Sequence, residues 1–439
     1  MKDRIIKLSP PQVLLFVFLI GIIIGTILLK LPFSTTDSIS LLDALFTATS
    51  AMTVTGLAVV DTGTAFTTFG QVVIMVLIQT GGLGIMSFAI LVFIALGRKI
   101  GFKQRILVQQ ALNQTSIGGV IKLVQKLFIF SIIIESIAVC LLAIRWVPAL
   151  GWKEGIFASV FHSISAFNNA GFSIWSDSLM GYVGDPLVNI IISSLFIIGG
   201  LGFTVLADLW SSKKFQRLSL HSKIMIVGTF SLNLLSFFLV FWFEYNNPNT
   251  LGKLPFLDKV WGAYFQAVTT RTAGFNSVDI GSLEESTIFL MLILMFIGAG
   301  SASTAGGIKL TTFIAMFLSV LTFVKGKEDV TIFRRTLNPV IIVRCLAITM
   351  ISISIVFIGI FVLEFSQSSP FLPIVFEVIS AFGTVGLSMG LTADLTSIGK
   401  EVIIIIMFIG KIGPLTLAFS LTKQERTAIR YPKEEILTG

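Results

Sequence analysis

Charged residues are scarce in this chain of 439 residues, because Asp, Glu, Lys and Arg together make up only 12% of it. Soluble domains carry about twice that share, roughly 25%. A chain so poor in charge cannot cover a water-facing surface, and 54% of its residues are hydrophobic. The composition therefore argues against a soluble protein and indicates that the lipid bilayer surrounds most of the chain.

Cysteine and histidine are equally rare, with two residues of each. Cys140 and Cys345 lie far apart in apolar segments, so they predict no disulfide framework. His162 and His221 are too few for a histidine-based metal cluster. The sequence also has no nucleophile elbow and no paired carboxylates within its apolar segments. We therefore expect no enzyme activity and no covalently bound cofactor.

Eight apolar segments are long enough to cross a hydrocarbon core, which needs about 20 mostly apolar residues in a helix. They cover about 11–31, 68–97, 123–147, 186–210, 222–244, 286–324, 338–364 and 399–422. If the spans alternate in direction, most of the 31 Lys and Arg residues fall on the side of both termini. By the positive-inside rule that side is cytoplasmic. We predict a multi-pass cell-membrane protein with both termini in the cytoplasm, and the scatter of its basic residues argues against a nucleic-acid partner.

A glycine motif recurs four times, at intervals of roughly one hundred residues, each time between two apolar runs. The four copies are Thr53-Val54-Thr55-Gly56, Asn168-Asn169-Ala170-Gly171, Arg271-Thr272-Ala273-Gly274 and Gly383-Thr384-Val385-Gly386. Ten residues before each final glycine stands an aromatic residue, and directly after it a large apolar one. We place four repeats at 1–100, 120–215, 220–325 and 336–425, and a cytoplasmic tail at 426–439. The predicted fold is an all-α polytopic membrane protein, with four M1–pore helix–loop–M2 repeats around one pseudo-fourfold pore.

Glycine is the one residue that the four loops share at the same position, which indicates that the main chain makes the functional contacts. Glycine permits the backbone conformations that aim carbonyls inward, and rings of carbonyls replace the hydration shell of a cation in pore filters. We predict that potassium contacts the carbonyls of Val54, Asn169, Thr272 and Thr384. Short helices before the loops, at about 40–52, 154–167, 258–270 and 372–382, would point their partially negative C-terminal ends at the central cavity.

Arg271 departs from this pattern because it puts a positive charge at a filter position. We expect its side chain to turn away from the pore. Its expected partners are an acid such as Glu377 or Glu135, or the carbonyls of a pore helix.

The second span of repeat three is interrupted by a segment rich in glycine, alanine and serine, which is a poor helix former. Non-helical backbone at membrane depth is tolerated only where protein covers it or water fills a cavity beside it. We predict a movable gate built from Gly298, Gly300, Ser301, Ser303, Thr304, Gly306, Gly307 and Lys309. A structural kink without regulation is the alternative. A phosphate-binding loop does not fit, because Ile308 separates the last glycine from the lysine.

Lys411 lies in the middle of the last apolar span, where a lysine costs about 2.5 to 3.5 kcal/mol on insertion scales. We expect it to face the aqueous cavity below the loops, where it would either repel a cation or fix the gate segment in place.

Glycines also mark the second span of each repeat, at positions 81, 199, 298 and 410, and a small residue follows three positions later at 84, 202, 301 and 413. Small residues at this spacing let helices approach closely in lipid. For repeats one and two we therefore predict helix packing.

Taken together, these residues resemble the Trk/Ktr/HKT superfamily of potassium transporters, in particular the membrane subunit of bacterial Ktr systems, over nearly the whole chain. The most specific matches are the four loop glycines, the break at 298–309 and Lys411. The resemblance implies a potassium selectivity filter with one glycine per repeat and an intramembrane gating loop. It also implies a homodimer on a cytoplasmic ring of nucleotide-binding regulatory subunits, so that nucleotide acts only through the partner.

We therefore expect potassium uptake through a channel-like pore. The alternative is an alternating-access transporter that couples potassium to sodium or protons. That mechanism usually comes with inverted repeats, whereas all four repeats here share one orientation.

Overall fold

The computed structural model describes residues 10–84, 120–212, 214–301, 303–414 and 434. This part of the chain is mostly helical, as predicted. Its helices, α1 to α15 in chain order, are Pro10–Leu29, Leu41–Met52, Thr62–Ala65, Thr68–Gly82, Val120–Leu150, Trp152–Phe167, Pro186–Leu201, Phe203–Ser211, Leu220–Glu244, Phe256–Thr269, Glu285–Phe296, Leu310–Val324, Pro339–Ser366, Phe371–Gly383 and Ser397–Ile412. Strands β1 (Thr331–Ile332) and β2 (Arg335–Thr336) form a short antiparallel hairpin between α12 and α13.

A short helix leads into each glycine loop. These helices are α2, α6, α10 and α14, and their ends agree with the predicted short helices to within two residues. The hydroxyl of Ser40 accepts a hydrogen bond of 3.0 Å from the backbone N–H of Asp43 at the start of α2. This contact satisfies one of the donors that a helix leaves free at its N-terminus.

The segments around the four glycine loops pack in a closed cycle. Phe161 and Phe172, the aromatic and apolar residues that flank the second loop, lie in the hydrophobic core of repeat one. The equivalent residues of the other repeats also lie in the core of the repeat before them, with repeat one packing against repeat four: Tyr264 and Phe275, Phe376 and Leu387, Phe46 and Leu57. This order of packing places the four loops next to one another.

Paired glycines in the second spans have two different roles. A Cβ at Gly81 would lie 2.8 Å from the carbonyl carbon of Met52 at the end of α2, so this glycine does permit the close packing that was predicted. The second glycine of the pair does not belong to a continuous helix, because Gly84, Gly202 and Gly413 have φ angles of +82°, +98° and +90°. At Gly202 the chain bends by 93° between α7 and α8. The prediction that Gly84 and Gly202 serve helix packing alone is therefore wrong.

Three described helices could cross a membrane by length and composition: Val124–Leu150, Leu220–Glu244 and Pro339–Ser366. The bent pair α7 and α8 would together give a fourth span, and the remaining apolar helices are shorter. The predicted second spans of repeats one and four continue into 85–97 and 415–422, which lie outside the described residues, as do 1–9 and most of the tail.

Candidate cation filter and gate

The four glycine loops adopt one backbone conformation although their sequences differ. The residue two positions before each final glycine has a left-handed φ, which is rare for residues other than glycine. These angles are 51° at Val54, 57° at Asn169, 69° at Thr272 and 49° at Thr384. The final glycines have φ angles of 95° at Gly56, 68° at Gly171, 79° at Gly274 and 91° at Gly386. A conformation held four times by different side chains indicates that the main chain is the functional part.

The four glycines meet one another. A Cβ at Gly171 would lie 2.8 Å from the Cα of Gly274, and one at Gly386 would lie 2.9 Å from the Cα of Gly56. A Cβ at Gly56 would lie 3.1 Å from the Cα of Gly171, and one at Gly274 would clash with the carbonyl oxygen of Val385. No side chain fits at these positions without displacing the backbone of a neighbouring loop. The structure thus brings together the four predicted filter segments.

The N–H groups of the loops are bound by the helices that precede them. In repeat one, the N–H of Val54 donates to the Ala51 carbonyl at 3.1 Å and that of Thr55 donates to the Ser50 carbonyl at 2.8 Å. The same pairs recur in repeats two and four, from Asn169 to Ala166, Ala170 to Ser165, Thr384 to Ala381 and Val385 to Ser380. In repeat three the N–H of Ala273 donates to the Thr269 carbonyl at 3.0 Å.

The loop carbonyls, by contrast, receive no hydrogen bond from any residue in the described ranges. The carbonyls concerned belong to the two residues that directly precede each final glycine. Because unpaired buried carbonyls are costly, four such pairs that meet at one place are suited to bind a cation.

Hydroxyl side chains support the loops in a way that the sequence interpretation missed. Ser50 and Ser380 accept hydrogen bonds of 3.1 Å from the N–H groups of Gly56 and Gly386. In repeats two and three, the hydroxyls of Ser165 and Thr269 instead donate to the carbonyls of Phe172 and Phe275, which directly follow the loop glycines. A hydroxyl residue five or six positions before each glycine was the available signal.

The predicted gate segment lies against two of the four loops. The hydroxyl of Thr304 donates to Asn169 Oδ1 at 2.8 Å. A Cβ at Gly306 would lie 2.7 Å from Thr384 Cγ2. Asn169 and Thr384 both stand two positions before the final glycine of their loops. The segment therefore contacts these loops on the N-terminal side of the glycines.

Backbone contacts hold the same segment between the second spans of repeats two and four. The N–H of Gly300 donates to the carbonyl of Gly200 at 2.8 Å, and that of Gly307 donates to the carbonyl of Gly410 at 3.3 Å. Within the segment, the hydroxyl of Ser303 donates to the Gly300 carbonyl at 2.7 Å. The hydroxyls of Ser301 and Thr311 lie 3.4 Å apart, and Gly298 lies against the carbonyls of Gly306 and Ile308.

Two lysines also bind the segment. Lys411 Nζ donates to the carbonyl of Thr304, and Lys309 Nζ donates to the carbonyl of Ala305 at 2.7 Å. Of the two roles considered for Lys411, this contact favours fixing the segment in place.

Arg271 has a partner other than those predicted. Its Nη1 donates to Asn233 Oδ1 on α9 at 3.3 Å. Glu377 accepts hydrogen bonds from the hydroxyls of Ser388 and Thr392 at 2.8 and 2.5 Å instead. The prediction that Arg271 pairs with an acid or with the carbonyls of a pore helix is therefore wrong: its partner is a neutral amide on the first span of its own repeat.

An open cavity of about 290 Å³ adjoins the loops on their C-terminal side. It is lined by residues that follow the glycines of repeats one, three and four, including Ala58, Asn276, Asp279, Ser388 and Thr392. The loops therefore lie between this cavity and the gate segment.

Comparisons with known proteins agree with this geometry. Residues 17–428 match the family model described as "TrkH: Cation transport protein". The chain is 60% identical to the Ktr system potassium uptake protein B of Bacillus subtilis, covering 100% of this chain and 99% of that protein. It is 44% identical to the protein of the same name from Vibrio alginolyticus, with 99% and 96% covered. It is 40% identical to the potassium/sodium uptake protein NtpJ of Enterococcus hirae, with 100% and 99% covered.

A solved structure shares the fold. The potassium transporter TrkH from Vibrio parahaemolyticus superimposes with a TM-score of 0.73 at 21% identity, over 96% of this chain and 87% of that one. Since the family model and the full-length relatives agree, this chain belongs to the TrkH family of cation transport proteins.

Proposed function

We propose that this chain is a potassium uptake protein of the cell membrane that conducts potassium through a channel-like pore. The observation that carries the proposal is the meeting of Gly56, Gly171, Gly274 and Gly386, with loop N–H groups bound and loop carbonyls that receive no hydrogen bond from the described residues. The names of the full-length relatives, which are potassium uptake proteins, support the choice of ion.

The proposed membrane arrangement has four M1–pore helix–loop–M2 repeats, with boundaries at 1–100, 120–215, 220–325 and 336–425, and both termini in the cytoplasm. The cyclic packing of the repeats supports a single pseudo-fourfold axis. The distribution of basic residues supports the orientation. Under this arrangement the cavity near Asp279 opens to the outside and the gate segment lies on the cytoplasmic side of the filter.

Selection in this pore would rest on the carbonyls of Val54, Asn169, Thr272 and Thr384, which would replace water around the ion. The ends of α2, α6, α10 and α14 add partial negative charge, about half an elementary charge each. Uptake needs no coupled ion, since an inside-negative potential favours cation entry by about 2.3 kcal/mol per charge for each 100 mV. The alternating-access alternative gains no support from one cyclic set of repeats with a common orientation.

Opening would require the segment from Gly298 to Lys309 to leave its position against Asn169 and Thr384. Two cytoplasmic arms lead to this segment. One is α12, which follows Lys309 and ends at the β1–β2 hairpin; the other is α8, which follows the bend at Gly202. The rings of Phe333 in the hairpin and Phe215 after α8 meet edge to face, with centroids 6.3 Å apart.

A cytoplasmic partner that separates or joins these arms could therefore move the gate. We propose that the chain works as a homodimer on a nucleotide-binding cytoplasmic ring, as the resemblance implies. The naming of its relatives as parts of a Ktr system supports a partner subunit.

Ion flux into proteoliposomes tests this function. Purified protein should carry rubidium or potassium down an imposed potential, exclude sodium, and restore growth at low potassium to a strain without other uptake systems. A fixed stoichiometric requirement for sodium or protons would contradict the channel-like mechanism. The absence of any potassium flux, with or without a cytoplasmic partner, would contradict the function itself.

A further inference from the structure

Glu135 is a carboxyl group in the middle of a long apolar helix. It lies midway along α5, between Val120 and Leu150, and is only 8% exposed. Ionisable residues inside membrane helices are costly and usually functional. Neither the filter nor the gate described above uses this side chain.

A chain of hydrogen bonds joins Glu135 to the filter. Gln79 Nε2 on α4 donates to both carboxylate oxygens, at 3.1 and 3.2 Å. Asn168 Nδ2 in turn donates to Gln79 Oε1 at 2.6 Å. Asn168 is fully buried and directly precedes Asn169, which has a left-handed φ and binds Thr304 of the gate segment. The carboxyl group is thus two hydrogen bonds away from the repeat-two filter loop.

The same residue also ties α5 to the pore helix. The hydroxyl of Ser163 on α6 donates to the carbonyl of Glu135 at 2.9 Å. Three elements therefore meet at this point: the second span of repeat one, the first span of repeat two and the repeat-two loop.

The corresponding position of each other repeat is built differently. Thr53 bonds within its own repeat to Thr49 and Thr55, Arg271 bonds Asn233, and Gly383 has no side chain. Among the residues that the structure describes, only repeat two joins a buried acid to its loop in this way. No lysine or arginine in the described ranges forms an ion pair with Glu135, since the ion pairs there are Arg145 with Asp185 and Lys400 with Asp43.

We propose that Glu135 is a specificity-determining, positioning residue for potassium. Through Gln79 and Asn168 it holds the repeat-two loop in its coordinating conformation. This inference rests on the proposed function of the loops.

The test measures rubidium uptake into proteoliposomes for wild type and for Glu135→Gln, which keeps the shape but places an amide donor where Gln79 Nε2 needs an acceptor. We expect KM to rise about tenfold, which corresponds to about 1.4 kcal/mol, while Vmax and the melting temperature stay close to wild type. The preference for potassium over sodium should fall in parallel. The matched control is Glu364→Gln, which changes an exposed acid near the C-terminal end of α13. It should leave KM unchanged.

A swap variant separates this role from a purely structural one. Combining Glu135→Gln with Gln79→Glu returns a carboxylate to the same hydrogen-bonded chain. It should bring KM back to within about threefold of wild type, as coupled neighbours do in a double-mutant cycle. A structural role would instead lower Vmax and melting temperature together, leave KM unchanged, and show no rescue.

Wild-type KM and selectivity in Glu135→Gln would overturn the inference while leaving the proposed filter intact. Loss of melting temperature without a KM effect would overturn it as well. Absence of flux in the wild type itself would overturn both this inference and the proposed function.

Discussion

The glycine loops have a similar backbone in all four repeats, whereas the second spans do not. In the loops, four sequences that share only one glycine position have a left-handed φ at the same two positions. In the second spans, the first glycine packs against the end of the pore helix in repeats one, two and four, but not in repeat three. Gly81, Gly199 and Gly410 lie against the last or next-to-last residue of their pore helices: Met52, Phe167 and Phe382. Gly298 instead lies against Gly306 and Ile308 of its own gate segment.

This difference separates two tasks physically. A ring of main-chain ligands requires all four loops to be equivalent, because each must present its carbonyls at the same level. A gate requires the opposite, since one segment must move while the others hold the filter in place. Under the proposed function, the different arrangement in repeat three alone would provide both a filter and a gate in one chain.

The largest expected effect comes from breaking the equivalence of the loops. In Gly386→Ser, the added Cβ would lie 2.9 Å from the Cα of Gly56, so two loops must move apart. We expect the preference for potassium over sodium to fall at least tenfold, since about 1.4 kcal/mol of lost discrimination has that effect. Reversal potentials in mixed ions measure it.

Gly390→Ser is the matched control, because Gly390 has a similar φ of +93° but no atom within 4 Å of an added Cβ. It carries the backbone strain without the collision and should keep its selectivity. Equal losses in the two variants would attribute the effect to strain alone.

Releasing the gate segment should have the next largest effect. Lys411→Met removes the bond to the Thr304 carbonyl. A hydrogen bond from a charged group contributes about 1.5 to 3 kcal/mol. The lower end of this range corresponds to about a tenfold change, so potassium flux without a partner should rise at least that much.

Lys400→Met, on the same helix, removes an ion pair with Asp43 away from the gate and should leave this basal flux unchanged. If Lys411→Met instead lowered flux to zero, the lysine would hold the open state, contrary to the arrangement proposed here.

A matched pair of alanine variants sharpens the contrast between the second spans. In Gly81→Ala, the new methyl group would meet the Met52 carbonyl, and overpacking of this kind costs about 1 to 3 kcal/mol. We expect a melting temperature lower by a few degrees. In Gly298→Ala the neighbours belong to the gate segment, so the main change should be in basal flux. A change in basal flux for Gly81→Ala and a lower melting temperature for Gly298→Ala would contradict this distinction between the spans.

The smallest effect is expected at the cytoplasmic arms. Phe333→Ala removes the edge-to-face contact with Phe215, and such pairs contribute about 0.5 to 1.5 kcal/mol. The lower end of this range corresponds to about a twofold change, so the increase in flux caused by the cytoplasmic partner should fall at least about twofold. Phe323→Ala, at a ring that is 84% exposed on α12, should leave the response as it is. A wild-type response in Phe333→Ala would exclude this contact from the route to the gate.

The sequence could predict those features that depend on residues close together along the chain. The loop glycines, the helices before them and the break in repeat three depend on glycine and on apolar length, which are visible along the chain. The partners of Arg271 and Glu135 depend on how helices from different segments pack together, and no local pattern encodes that choice.

The paired glycines show a second limit. Close packing and a left-handed turn both favour glycine, so the sequence alone did not distinguish Gly81, which packs within α4, from Gly84, which follows the end of α4 with a left-handed φ.

The central claim is that four main-chain loops coordinate potassium on one axis. Anomalous diffraction from crystals grown with rubidium tests it most directly. The account predicts a rubidium peak enclosed by Gly56, Gly171, Gly274 and Gly386, within coordinating distance of the carbonyls of Val54, Asn169, Thr272 and Thr384. Rubidium bound only elsewhere, with those carbonyls turned away from the axis, would contradict it.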